Sequence, residues 1–177
     1  MKYTAAKTMT AFLFLCILMA GCDKTADTDR EGLNIDTVRE DVQEYNSNLV
    51  NKYISGQVKV IDKSLVESQG IDGEIKQYEN VEDHSILRYT VAMFGETGRS
   101  ISEYYVIKNY IYVTVLEEYY IAPIYEKGPD VLYRTFKEGV IYKDMIYQLE
   151  KGDLIQSNRK DMGLPYTSLT ELSEAAQ

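Results

Sequence analysis

The chain carries no tryptophan, one histidine, two cysteines and three prolines in 177 residues. Each scarcity removes a class of function. A protein zinc site takes about four ligands, most of them nitrogen or sulfur, and His84, Cys16 and Cys22 are the whole supply of imidazole and thiol. A serine-histidine-aspartate relay needs an oriented histidine. His84 stands in the polar turn "NVEDHS", and no serine occupies a Gly-x-Ser-x-Gly elbow. It reads as a solvated loop residue. The want of tryptophan argues against a sugar-stacking platform. Positive charge is also short: 19 Lys and Arg against 28 Asp and Glu, a net charge of −9. Phosphate is repelled, which excludes nucleic acid as a partner, whereas a basic protein is attracted. Long apolar runs are missing as well. "AFLFLCILMA", residues 11–20, is too short for a membrane span, which requires about 20 residues.

That short run has a use of its own. Lys2 and Lys7 precede it and "LMAGC" ends it, the order of an export signal: positive region, apolar region, small residues. "LMAGC" resembles the bacterial lipobox, with Ala20 and Gly21 before the cysteine and Met19 where leucine is commoner. The resemblance implies removal of residues 1–21, a diacylglycerol thioether on Cys22 with an N-acyl chain, and a place in the cell envelope. The protein would be held to the membrane on the periplasmic or outer surface side. Cys22 would then be the one cysteine left, so no internal disulfide forms. Residues 22–33 continue as "CDKTADTDREGL", polar and without periodicity, a flexible tether. Asp27, Asp29, Glu31 and Gly32 brush a calcium-loop pattern. Val38 stands where the bidentate glutamate is required, so linker is the better reading and no metal is expected.

Residues 34–167 read as one α+β domain, followed by a short helix or frayed tail over 168–177. Val38, Val42, Tyr45, Leu49 and Tyr53 recur at helical spacing, predicting an amphipathic helix over 36–54 that Gly56 stops. Strand-like segments follow. "ILRYTVAMF" alternates, with Leu87, Tyr89, Val91 and Met93 on one face. "GETGRS" reads as a hairpin turn, since it lacks the spacing and lysine of a phosphate loop. "LYRTFKEGVIY" reads as a hairpin turning at Gly139, and "QLEKGDLIQ" as another. Pro123 and Pro129 interrupt the strands and belong at edges or loops. The sum is an N-terminal helix packed on an antiparallel β-meander of five or six strands.

Seven of the sixteen tyrosines fall within "SEYYVIKNYIYVTVLEEYYIAPIY", residues 102–125. A two-residue turn at Lys108-Asn109 pairs Ile107 with Tyr110, Val106 with Ile111, Tyr105 with Tyr112 and Tyr104 with Val113. One face then reads Tyr104, Val106, Ile111, Val113, Val115, the face the helix should cover. The other reads Tyr105, Ile107, Tyr110, Tyr112, Thr114, an aromatic face left partly wet. Tyrosine joins apolar area to a hydroxyl, which suits a docking surface. It is also an ordinary strand residue.

The stretch 73–115 resembles small bacterial lipoproteins and secreted proteins of unknown function. The resemblance rests on Gly73, Glu74, Tyr78, Gly95, Glu96, Gly98, Glu103, Tyr104, Tyr105 and Asn109, with Tyr110 replacing the glycine usual after that asparagine. It implies a β-meander and carries no activity.

The functional expectation is a non-catalytic, lipid-anchored envelope protein with no cofactor. It binds another protein through Tyr105, Tyr110 and Tyr112. Two other readings stand beside it: an inhibitor or immunity-type protein against a basic toxin or hydrolase, and an accessory subunit holding a small ligand between helix and sheet. A hydrolase would have to use Glu103 or His84. Glu117 and Glu118, being adjacent, point to opposite faces of a strand and cannot act as a glycosidase pair.

Overall fold

The computed structural model describes residues 33–66, 72–127 and 130–177. Contacts divide the chain after Asn34, and the fold that follows is that of the unit Ile35–Gln177. Helix α1, Ile35–Ile54, forms where the apolar spacing places it. Val38 is buried, Val42, Tyr45 and Leu49 are half-buried, and Tyr53 in the last turn is exposed. Gly56 takes a left-handed φ of 71°. Its N–H donates to Tyr53 O, and the N–H of Gln57 to Lys52 O, which closes the helix.

Eight strands follow: β1 Val58–Val66, β2 Asp72–Asn80, β3 Ile86–Gly95, β4 Gly98–Ile107, β5 Tyr110–Tyr120, β6 Val131–Tyr142, β7 Met145–Glu150 and β8 Asp153–Ser157. They pair in sequence order in one antiparallel sheet, leaving β1 and β8 at its edges. Short helix α2, Ile124–Lys127, lies between β5 and β6. Helices α3, Arg159–Met162, and α4, Leu169–Ala175, end the chain.

The expected meander is present, with eight strands rather than five or six. β1 escaped the sequence reading because "VKVIDKSLV" interleaves Lys59, Asp62 and Lys63 with its aliphatic residues. At an open sheet edge such charges are tolerated and blunt unwanted pairing. Gly139 also proves not to be a turn residue. It lies inside β6, directly across from Gln148, and the turn is Lys143–Asp144, both with positive φ. A Cβ at Gly139 would sit 2.9 Å from Met162 Cε and press on Tyr147 O. The glycine makes room there for close backbone approach.

Each face of the sheet is covered over part of its area, one by the C-terminal segment and the other by α1. On one face Tyr89, Val91, Tyr104, Val113, Val115 and Ile141 form the core, and it is the C-terminal segment that closes over them. Met162, Leu164 and Leu172 join the same cluster. Tyr104 Oη donates to Tyr166 O and accepts from Tyr166 N–H. Ser168 Oγ caps α4 by accepting from Glu171 N–H. Helix α1 lies on the other face, the tyrosine-rich one. The expectation that the helix covers the aliphatic face is thus corrected. The tyrosine hydroxyls, once buried, need acceptors: Asp41 of α1 accepts from Tyr110, while Glu103 and Glu138 of the sheet itself accept from Tyr105 and Tyr112.

Candidate functional site

Beyond the Ile107–Tyr110 pair at the end of the β4–β5 hairpin, the strand register arranges the α1-side face of β3 to β6 in four lateral rows. The first is Arg88, Tyr105, Tyr112, Val140, and the next Thr90, Glu103, Thr114, Glu138. Then come Ala92, Ile101, Leu116, Phe136, and last Phe94, Arg99, Glu118, Arg134. Because side chains alternate between faces, each row is a line of neighbours about one strand spacing apart.

Helix α1 lies over the first row. The Tyr45 ring stands edge-on to Tyr105 at 6.2 Å, and Tyr105 lies 5.9 Å from Tyr112. Tyr45 Oη donates to Leu87 O. Asp41 accepts from Lys108 Nζ at 2.6 Å and from Tyr110 Oη at 3.1 Å. Tyr105 Oη donates to Glu103 and Tyr112 Oη to Glu138, each at 2.7 Å. Arg88 closes on Glu103 at 2.8 Å. Burial pushes the Tyr45 hydroxyl up to about 12. Burial first, then the accepting carboxylate, raises Tyr105, Tyr110 and Tyr112 further. These phenols are therefore neutral donors at neutral pH.

The three tyrosines expected to meet a partner are only 7–8% exposed. Their rings pack under the helix and their hydroxyls are spent on carboxylates. The face expected to be partly wet is thus dry where they stand. Cys22 lies outside the described residues, as do Asp27, Asp29, Glu31 and Gly32 of the calcium-loop stretch. Glu103 is brought against Arg88 and Tyr105, not against His84. His84 sits in the exposed β2–β3 turn with Nδ1 2.5 Å from Glu79 Oε1, before β3 begins, whereas Glu103 is the neighbour of Thr90 within β3. Glu117 and Glu118 do face opposite ways: Glu117 accepts from Thr135 Oγ1, and Glu118 is held by arginines on the α1-side face.

The last row is the arrangement that sequence reasoning missed. Glu118 is 4% exposed. Its Oε2 lies 2.5 Å from Arg99 Nε and its Oε1 2.6 Å from Arg134 Nε. Hydrogen bonds from Arg99 and then Arg134 hold its carboxyl below the usual carboxylate range. Around this clasp the surface is apolar: Phe136 and Leu132 are more than 60% exposed, and Phe94 is exposed too. Tyr119 and Tyr133 stack at 4.4 Å on the opposite face of the same strands. The β5–β6 connection adds exposed Ile121, Ile124 and Tyr125. The apolar character of "VLYRTF" was visible in the sequence, but its place beside Glu118 depends on the β5–β6 register, which the proline-containing connection conceals.

A groove of about 530 Å³ runs along the other end of α1, lined by Tyr45, Asn48, Leu49, Lys52, Gln57 and Leu87 among others. Comparison with protein-family profiles, with curated proteins and with solved structures finds no match to this chain.

Proposed function

We propose that this is a non-catalytic, lipid-anchored protein of the cell envelope that docks another protein on the apolar end of its sheet. Large exposed apolar patches are uncommon on monomers and accompany interaction surfaces. The observation that carries the reading is the gathering of Phe94, Leu132, Tyr133, Phe136, Ile121 and Tyr125 at one end of the sheet, all exposed. The "LMAGC" motif supports the anchor through Cys22. Among the described residues no helix is long and apolar enough to cross a membrane. The negative charge of the chain favours a basic partner at long range, as an inhibitor or immunity-type protein would require. Aromatic rings with arginine make the composition of a docking centre.

The test is chemical crosslinking of the tagged full-length protein in intact cells, followed by mass spectrometry. One dominant partner, lost in Phe136→Ser and reduced in Cys22→Ser, is the expected result. Equal crosslinking by Phe136→Ser and wild type would overturn the docking face. A second reading, favoured by the groove beside α1, is a small-ligand carrier. Native mass spectrometry would then show a bound mass that Leu49→Arg removes.

A further inference from the structure

β6 is twice as long as the strand beside it. It spans Val131–Tyr142, yet β7 pairs with only Gly139–Tyr142 of it. On its other side β6 is paired with β5 along almost its whole length. Residues 131–138 therefore have one strand edge with no backbone partner among the described residues. The direction of their backbone groups follows from the turn. Tyr142 and Met145 close the two-residue hairpin, so they exchange hydrogen bonds, and even-numbered residues of β6 turn N–H and C=O toward β7. Where β7 has left, Arg134 and Phe136 aim theirs at solvent. Leu132 lies beside them at an irregularity, since Tyr119 pairs with Tyr133 while Tyr120 pairs with Val131.

The other open edges are less suited to receive a strand. β8 has five residues, and β1 carries Lys59, Asp62 and Lys63. Those are the short length and charge that keep an edge solitary. The β6 edge is fringed instead by Leu132 and Phe136, the two most exposed apolar side chains of that strand, with Arg134 between them. Arg134 shares Glu118 with Arg99, so two guanidinium charges meet one carboxylate and the clasp is locally positive on an acidic protein.

We infer that the β6 edge is a seat for strand addition: an extended segment of a partner protein pairs antiparallel with residues 131–137, presenting an acidic side chain to Arg134 between apolar side chains facing Leu132 and Phe136. This rests on the docking reading above and specifies its geometry. Main-chain hydrogen bonds to Arg134 and Phe136 supply affinity, and the alternate side chains supply selectivity. A second copy of the chain suits the edge less well. β7 blocks pairing beyond residue 138, so a twofold pairing of residues 131–137 centres on Arg134 and sets the two arginines opposite each other.

The test uses the full-length protein in detergent and a labelled peptide, Thr-Val-Thr-Glu-Thr-Val-Thr, read by fluorescence anisotropy. Saturable binding is expected. It should weaken about tenfold or more when the peptide glutamate becomes lysine, and similarly for Arg134→Gln, whose unchanged circular dichroism shows that the fold is kept. It should vanish when the glutamate and valine amides are N-methylated. Equal binding of the N-methylated peptide, or of the lysine peptide, overturns strand addition. So does the absence of binding by every peptide while the cellular crosslink still depends on Phe136. In that last case the docking surface survives and only its geometry fails. A concentration-dependent dimer that Phe136→Ser abolishes would assign the edge to a second copy and likewise overturn the inference.

Discussion

Glu118 and Arg134 face each other across β5 and β6, with Arg134 Nε 2.6 Å from Glu118 Oε1, and the carboxylate is buried while the guanidinium is not. A charge this covered is tolerated only because Arg99 holds its second oxygen. Glu118→Gln keeps the shape and removes the charge. It should lower stability and leave Arg99 and Arg134 mobile, seen as a lower thermal midpoint and broadened guanidinium NMR signals. The pH dependence has a definite sign. The folded state holds the Glu118 carboxyl below its ordinary 4.5, so its contribution is present above that pH and fades as the pH falls through the lowered value. Urea midpoints of wild type and Glu118→Gln should converge on acidification.

The tyrosines under α1 titrate the other way. Tyr45 is raised to about 12. Unfolded tyrosine ionises near 10, so the stability stored in the neutral buried phenols is complete below pH 10 and is lost as the pH rises toward 12. Phenolate absorbance during alkaline titration should show one group of tyrosines ionising near pH 10. A second group should appear only with the loss of near-ultraviolet dichroism. A single transition near pH 10 with the fold intact would contradict the burial.

Tyr105→Phe combined with Tyr112→Phe removes two hydroxyls from Glu103 and Glu138. The expected cost is about 1 kcal/mol per hydrogen bond, a fall in midpoint of several degrees, with the cellular crosslink unchanged. Phe136→Ser should do the reverse, costing little stability and losing the crosslink. If the Tyr105 and Tyr112 double variant loses the partner while remaining folded, docking involves the face beneath the helix.

Asp41 fastens α1 to the β4–β5 hairpin through Lys108 and Tyr110. Asp41→Ala leaves both donors without their acceptor and should cost about 1–3 kcal/mol. Hydrogen exchange should quicken along α1 more than in β3 to β5. Uniform quickening would mean that the helix and sheet open as one unit.

Gly139→Val tests the C-terminal cover. The added atoms meet Tyr147 O and Met162 Cε, so β7 and the segment around α3 must give way. A loss of about 2 kcal/mol or more is expected from overpacking, against little effect for Gly95→Ala at the end of β3, where an added Cβ meets nothing closer than 3.5 Å. Comparable denaturant midpoints for the two variants would refute the account of Gly139.

Much of the local plan was legible in the residues. The spacing from Val38 to Tyr53 foretold α1, and the alternation around Lys108-Asn109 foretold all four cross-strand pairs from Ile107–Tyr110 to Tyr104–Val113. Even there the left-handed residue is Lys108 rather than the asparagine that tolerates it better. What went unread was non-local. Alternation assigns residues to two faces but does not say which end of the chain covers which face. The Glu118 clasp was invisible for the same reason, since Arg134 becomes its neighbour only after the β5–β6 connection has set the register.

The sequence by itself determined an acidic chain with a lipobox-like start, a helix with one apolar stripe and a meander of hairpins. These follow from composition, from periods of 3.6 and 2, and from turn residues a few positions apart. Only the tertiary structure decided that Tyr105, Tyr110 and Tyr112 are buried donors under α1. It also decided that the C-terminal segment closes the aliphatic core, and that β6 outruns β7 and leaves a strand edge open. Those outcomes depend on which distant surfaces can satisfy buried hydroxyls and cover apolar area together, a condition on the whole chain that no short segment encodes.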